Sequence, residues 1–215
     1  MTYSVKEIFY TLQGEGAQTG RPSVFCRFTG CNLWSGIEQQ REQSVCRFCD
    51  TDFVGTDGKG GGKFQNAKAL ANAINSQWPD QQSHSAKKYV VCTGGEPLLQ
   101  LDAKLIDELH NLDFEIAVET NGTIKAPEGI DWICVSPKGT APLEQTSGDE
   151  IKLIYPQTEQ EAHPEKFMSL DFTHRYLQPM DSPNIEQNTK DTIAYCLENP
   201  EWKMSIQTHK IVGID

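Results

Sequence analysis

Short runs of alternating or unbroken apolar residues recur along the chain, separated by stretches with helical spacing. Residues Ser23–Thr29, Tyr89–Thr93, Phe114–Thr120, Trp132–Val135, Glu150–Tyr155, Phe172–Gln178 and Lys203–Thr208 carry the pattern that predicts strands. Helices are predicted between several of them. Asn66 caps one that reaches about Trp78, Pro97 opens one carrying Leu98, Leu101, Leu105, Ile106 and Leu109, and Ile185–Leu197 makes another. Such β/α alternation predicts a parallel sheet covered by helices. Gly55–Gly62 reads as a flexible connection, and no internal repeat or second boundary divides residues 1–215, so one domain is expected.

Polar clusters fall where the predicted strands end: Thr93-Gly94-Gly95-Glu96, Glu119-Thr120-Asn121-Gly122, Ser136-Pro137-Lys138, Gln178-Pro179-Met180-Asp181 and Gln207-Thr208-His209-Lys210. Ligands in barrels and open α/β sheets gather at the C-terminal ends of parallel strands. One face is therefore expected to carry the chemistry.

Composition narrows the classes. A chain of 215 residues buries roughly 70% of its unfolded surface and can build a sizeable core. The net charge of −11 disfavours nucleic acid and anionic membranes as partners and favours a small-molecule substrate. No basic-then-apolar leader opens the sequence and no apolar run is long enough to span a bilayer, so a cytoplasmic location is expected. Seven cysteines in a reducing compartment argue for free thiols and metal ligands before disulfides.

Fourteen residues separate Cys31 from Cys46 and two separate Cys46 from Cys49. Three thiolates leave one position of a four-iron cluster open for chemistry. With Cys26 added, the same residues could form a structural four-thiolate zinc site without catalysis, although Cys26 falls inside an alternating strand. Cys92, Cys134 and Cys196 sit in apolar runs and read as core. Gly94 and Gly95 would let backbone approach a ligand closely, or form an ordinary turn.

The set Cys31, Cys46, Phe48 and Cys49, followed by Thr93-Gly94-Gly95-Glu96-Pro97, resembles the radical S-adenosylmethionine (SAM) superfamily with an expanded first gap. Together with Phe9 to Gly16, Arg27 to Leu33, Cys49-Asp50-Thr51, Ser136-Pro137-Lys138 and Gln207 to Lys210, it resembles the 7-carboxy-7-deazaguanine synthase family over nearly its whole length. A glycyl-radical activating enzyme shares the cluster and the Gly-Gly-Glu-Pro run, but fits the long gap and the short C-terminus less well.

The resemblance implies a partial, TIM-like β/α barrel with an insert between Cys31 and Cys46. It implies conversion of 6-carboxy-5,6,7,8-tetrahydropterin to 7-carboxy-7-deazaguanine with loss of ammonia, in queuosine and deazapurine biosynthesis. A [4Fe-4S] cluster on Cys31, Cys46 and Cys49, SAM and Mg²⁺ are the implied cofactors. Thr51 falls at the family's Mg²⁺ ligand. Phe48, Cys49, Asp50, Gly95, Ser136, Pro137, Lys138, Gln178, Pro179, Met180 and Asp181 match SAM positions. Leu12, Gln13, Gly14, Arg27, Thr93 and the carboxylate of Asp215 match substrate positions, with a surface ion pair as the alternative for Arg27. Glu15, Glu119 and His209 lie on the same face without an assigned role. A flavodoxin or ferredoxin as electron donor and pairing into a homodimer are implied as well.

Overall fold

The computed structural model describes residues 2–79 and 86–214. Nine strands form one sheet: β1 (Tyr3–Leu12), β2 (Pro22–Phe28), β3 (Gly62–Phe64), β4 (Lys88–Gly94), β5 (Phe114–Thr120), β6 (Trp132–Val135), β7 (Ser147–Tyr155), β8 (Asp171–Pro179) and β9 (Lys203–Met204). Their order is β3-β1-β2-β4-β5-β6-β7-β8-β9. From β2 to β9 every neighbour is parallel, whereas β1 joins both β2 and β3 antiparallel. The order has two free ends, so the sheet stays open as a partial barrel.

The parallel part follows from sequence that is apolar on both faces. Val90, Val91 and Cys92 of β4 and Ile116, Ala117 and Val118 of β5 are all buried, as strands covered by helices require. Helices α1 (Ala67–Asn75) and α2 (Ala103–His110) cover this region with Leu70, Ile74, Leu105, Ile106 and Leu109. A second core of Val135, Ile151, Leu153, Phe172, Leu177 and Trp202 continues along β6 to β8, beside α3 (Ile185–Glu198). Cys26 and Cys92 face each other across β2 and β4 inside the first core, and Cys196 packs partly buried against the second. Cys134 is buried too, but its Sγ lies 3.6 Å from Glu150 Oε1, so it is not purely apolar packing.

Five departures from the sequence reading stand out. Strand β1 carries a register shift between Val5 and Glu7, which breaks the two-residue period that reveals strands. The last glycine of Gly55–Gly62 opens β3 instead of ending a loop. Pro97 starts only a 3₁₀ turn, Pro97–Leu99; α2 begins afresh at Asp102, whose carboxylate accepts from the Leu105 N–H at 3.0 Å. The C-terminal stretch pairs as a strand only at Lys203–Met204, then turns into the short helix α4 (Thr208–Val212). Helix α1 also stops at Asn75, short of Trp78, which is buried beyond its end.

Glu96 is completely buried and ties two strand ends together. Its Oε1 accepts from the Leu98 N–H at 3.0 Å and the Thr120 hydroxyl at 2.8 Å, and its Oε2 accepts from the Asn121 N–H at 2.8 Å. Burial pushes the carboxyl above its ordinary pKa, because these donors offset only part of the lost hydration. Glu96→Ala strands three buried donors and is expected to cost about 3 kcal/mol of unfolding free energy. Urea unfolding followed by circular dichroism checks this.

Candidate active site

The C-terminal ends of β4 to β8 open on one cavity of about 350 Å³. Thr93, Gly94 and Gly95 reach it from β4, Glu119 and Thr120 from β5, Ser136 and Lys138 from the turn after β6, Lys152 and Ile154 from β7, and Gln178 from β8. Parallel register places these residues together, as the polar strand-end clusters predict.

Cys31, Cys46 and Cys49 line one wall with Phe48. Cys46 and Cys49 share a hydrogen bond that holds the Cys49 thiol below its ordinary pKa and pushes Cys46 above it. Lys138 favours thiolate at both; its Nζ lies over the Phe48 ring, 5.7 Å from the centroid. Burial raises Cys31, against a Leu33 N–H that donates to its Sγ at 3.4 Å. Three thiols lining one cavity, one already biased towards thiolate beside a cation, are a donor set that fits an iron–sulfur cluster. Among the described residues no three His, Cys, Asp or Glu side chains close around a single ion. Cys26 lies in the core and away from this wall, so the four-thiolate zinc arrangement does not form.

Both glycines at the end of β4 allow a close approach of backbone. Gly94 has φ of +129°, and a Cβ there would collide with the Phe28 carbonyl. A Cβ at Gly95 would collide with the Gly30 carbonyl and sit 2.9 Å from the Cβ of Cys31. Gly95 thus lets the Cys31 loop lie against the end of β4, and Gly94 lets that end lie close against β2, whatever they also do for a ligand.

The inner wall is built from charge. Lys152 Nζ lies 2.8 Å from Glu15 Oε2 and 3.1 Å from Glu119 Oε2, with its side chain only 4% exposed. Burial would lower the Lys152 pKa, but Cys134, Glu119, Glu15 and Glu150 outweigh it and hold the ammonium charged. Burial likewise pushes Glu15 up, and Lys152 and Gln207 reverse this to leave the carboxyl below its ordinary range. The amides of Gln13, Gln178 and Gln207 donate to the same two carboxylates at 3.1 to 3.2 Å.

The C-terminal segment closes the rim. Lys210 Nζ bridges Asp50 Oδ2 and Asp181 Oδ2, each at 2.6 Å, and the Thr208 N–H donates to the Gly14 carbonyl at 3.0 Å. Burial raises Asp50, but Lys210 and Gln207 bring it below the ordinary carboxylate range. His209 therefore belongs to a helix against Gly14, not to the end of a strand; burial lowers its pKa and favours the neutral ring.

Most residues singled out by sequence meet at this cavity. Leu12, Gln13, Gly14, Arg27, Asp50 and Thr51 line it, as do Pro179, Met180 and Asp181. Pro137 is not part of the lining, and Asp215 lies outside the described residues. Arg27 forms the ion pair given as its alternative reading: Nε donates to Glu7 Oε1 at 2.7 Å, while the terminal nitrogens have no hydrogen-bond partner among the described residues. Lys152 and Lys210 carry no role in the sequence reading. The signal for Lys152 is a lone lysine in the apolar run Ile151 to Tyr155; Lys210 belongs to the polar cluster Gln207 to Lys210, which marks its place but not its partners.

An open β/α sheet with three cysteines at its C-terminal edge defines a radical SAM enzyme, the class that joins an iron–sulfur cluster to SAM. No protein-family model matches the chain. Curated relatives named 7-carboxy-7-deazaguanine synthase are 61% identical in Caulobacter vibrioides and 58% identical in Bordetella pertussis, each aligned over 100% of both chains. The crystal structure of QueE from Escherichia coli matches with a TM-score of 0.72 at 28% identity, covering 97% of this chain and 95% of that one. The chain belongs to the 7-carboxy-7-deazaguanine synthase family. No helix among the described residues is long and apolar enough to cross a membrane.

After anaerobic reconstitution, Cys26→Ser is expected to keep wild-type iron and sulfide content, whereas Cys31→Ser and Gly95→Ala lose most of it. Colorimetric iron and sulfide assays check the three variants. Lys152→Ala leaves two acidic side chains without their cation and is expected to destabilise the fold by about 3 kcal/mol, measured by urea unfolding.

Proposed function

We propose that this chain converts 6-carboxy-5,6,7,8-tetrahydropterin to 7-carboxy-7-deazaguanine with loss of ammonia, in the biosynthesis of queuosine and related deazapurines. The observation that carries this reading is the meeting of three cysteine thiols and a carboxylate-lined inner wall in one cavity, in a chain 61% identical to a named synthase. Bound at Cys31, Cys46 and Cys49, a [4Fe-4S] cluster with SAM supplies reductive cleavage of the sulfonium and removal of hydrogen from C6 of the pterin.

The chain's own residues hold and orient. Phe48, Cys49, Asp50, Gly95, the Ser136-Pro137-Lys138 turn and the run from Gln178 to Asp181 take SAM. The substrate is held by Leu12, Gln13, Gly14, Thr93, Arg27 and the Asp215 carboxylate. The free end of the Arg27 guanidinium suits a carboxylate, which it meets with a planar pair of donors. Glu15, kept ionised by Lys152, is an acceptor for N–H groups of a pterin ring. Thr51, which lines the cavity, would offer its hydroxyl oxygen to Mg²⁺, a hard cation suited to oxygen ligands. The chain works as a cytoplasmic homodimer and draws electrons from a flavodoxin or ferredoxin.

The deciding measurement is mass spectrometry of reconstituted, dithionite-reduced protein given SAM, Mg²⁺ and the tetrahydropterin. Formation of 7-carboxy-7-deazaguanine is expected; 5′-deoxyadenosine without that product would move the substrate assignment elsewhere. In the same assay Thr51→Ala is expected to require more Mg²⁺ for half-maximal turnover, and a titration curve identical to wild type would remove Thr51 from the metal.

A further inference from the structure

The insert between Cys31 and Cys46 contains one short 3₁₀ helix, Glu38–Gln43, and otherwise little regular backbone. Loops of this length without structure of their own usually serve a function, and ordering them costs conformational entropy. One side chain fixes this one. The Arg41 guanidinium stacks on Trp34, 4.0 Å from the ring centroid, and Trp34 is itself buried edge-on against Phe53. Arg41 Nη1 donates to the Arg47 carbonyl at 3.1 Å and the Cys49 carbonyl at 3.0 Å, while Nε and Nη2 make a two-point pair with Glu38 at 2.7 and 2.8 Å.

We infer that Arg41 is a positioning residue for the cluster, bracing the Cys46–Cys49 loop and setting the reduction potential through a charge that Glu38 partly offsets. The guanidinium fork reaches the backbone of the ligand Cys49 itself, and hydrogen bonds and charge around the ligands are what a protein uses to tune such a centre. The sign follows from Coulomb's law. A reduced cluster carries one more negative charge, so the nearby cation stabilises it and raises the potential, and the Glu38 carboxylate works the other way. The insert thus acts as an electrostatic bracket on the cluster loop. Lysine could not replace the arginine, because an ammonium cannot stack flat on Trp34 while donating to two carbonyls and a carboxylate.

This inference rests on the cluster proposed above. The test is an anaerobic redox titration, followed by electron paramagnetic resonance, of wild type, Arg41→Gln and Glu38→Gln at matched iron and sulfide content. Arg41→Gln is expected to shift the potential negative and to lose iron faster to a chelator, whereas Glu38→Gln shifts it positive. A loop that had merely loosened would admit water and move both potentials the same way; that result, or two unchanged potentials, overturns the inference. Should Arg41→Gln not hold a cluster, Glu38→Gln decides alone, since its carboxylate is exposed and its rise in potential needs no repacking. Wild-type protein that binds no iron would instead overturn the cluster reading on which this one stands.

Discussion

A single buried ammonium holds the cavity together. Lys152 joins the loop after β1 through Glu15 to the end of β5 through Glu119, and stands on β7 beside Glu150. A charge this deep is tolerated only with compensation, since an isolated ion in a protein interior costs several kcal/mol. Three acids surround this one base, and burial pushes the carboxyl of Glu150 above its ordinary pKa. The reward is specificity of arrangement: without the cation, Glu15 and Glu119 would repel each other and the loop carrying Gln13 and Gly14 would lose one of its tethers.

Much of this was legible in the residues, and what was not has physical reasons. The parallel strands announce themselves because both faces are buried, and the turn chemistry that follows them marks the edge where ligands gather. The cysteine spacing identifies the wall. Strand β1 is hidden by its bulge, and α4 by a sequence whose Ile206, Ile211 and Val212 are exposed rather than packed, so that no buried face fixes its period. Lys152 is visible as an oddity in an apolar run, but its partners come from positions 33 and 137 residues away. Long-range charge pairing of this kind leaves no local pattern.

The Gly-Gly-Glu-Pro run shows how one motif can carry a fold and a site at once. Its glycines remove side chains where the end of β4 must lie against β2 and the Cys31 loop, and its glutamate fastens that strand end to β5. Only Gly94 and Gly95 line the cavity, while Glu96 is wholly internal. A substitution at Glu96 would therefore reach the chemistry through the scaffold, and one at Gly95 through the position of a cysteine.

The same economy governs the rim. Asp50 follows the last cysteine and Asp181 follows β8, and one ammonium, Lys210, joins the two carboxylates. Because Lys210 and its partners are each about two-fifths exposed, solvent weakens this bridge well below the buried pairing at Lys152. Removing the cation costs more inside than at the mouth, because the inner carboxylates would be left unpaired away from water while those at the rim would be solvated.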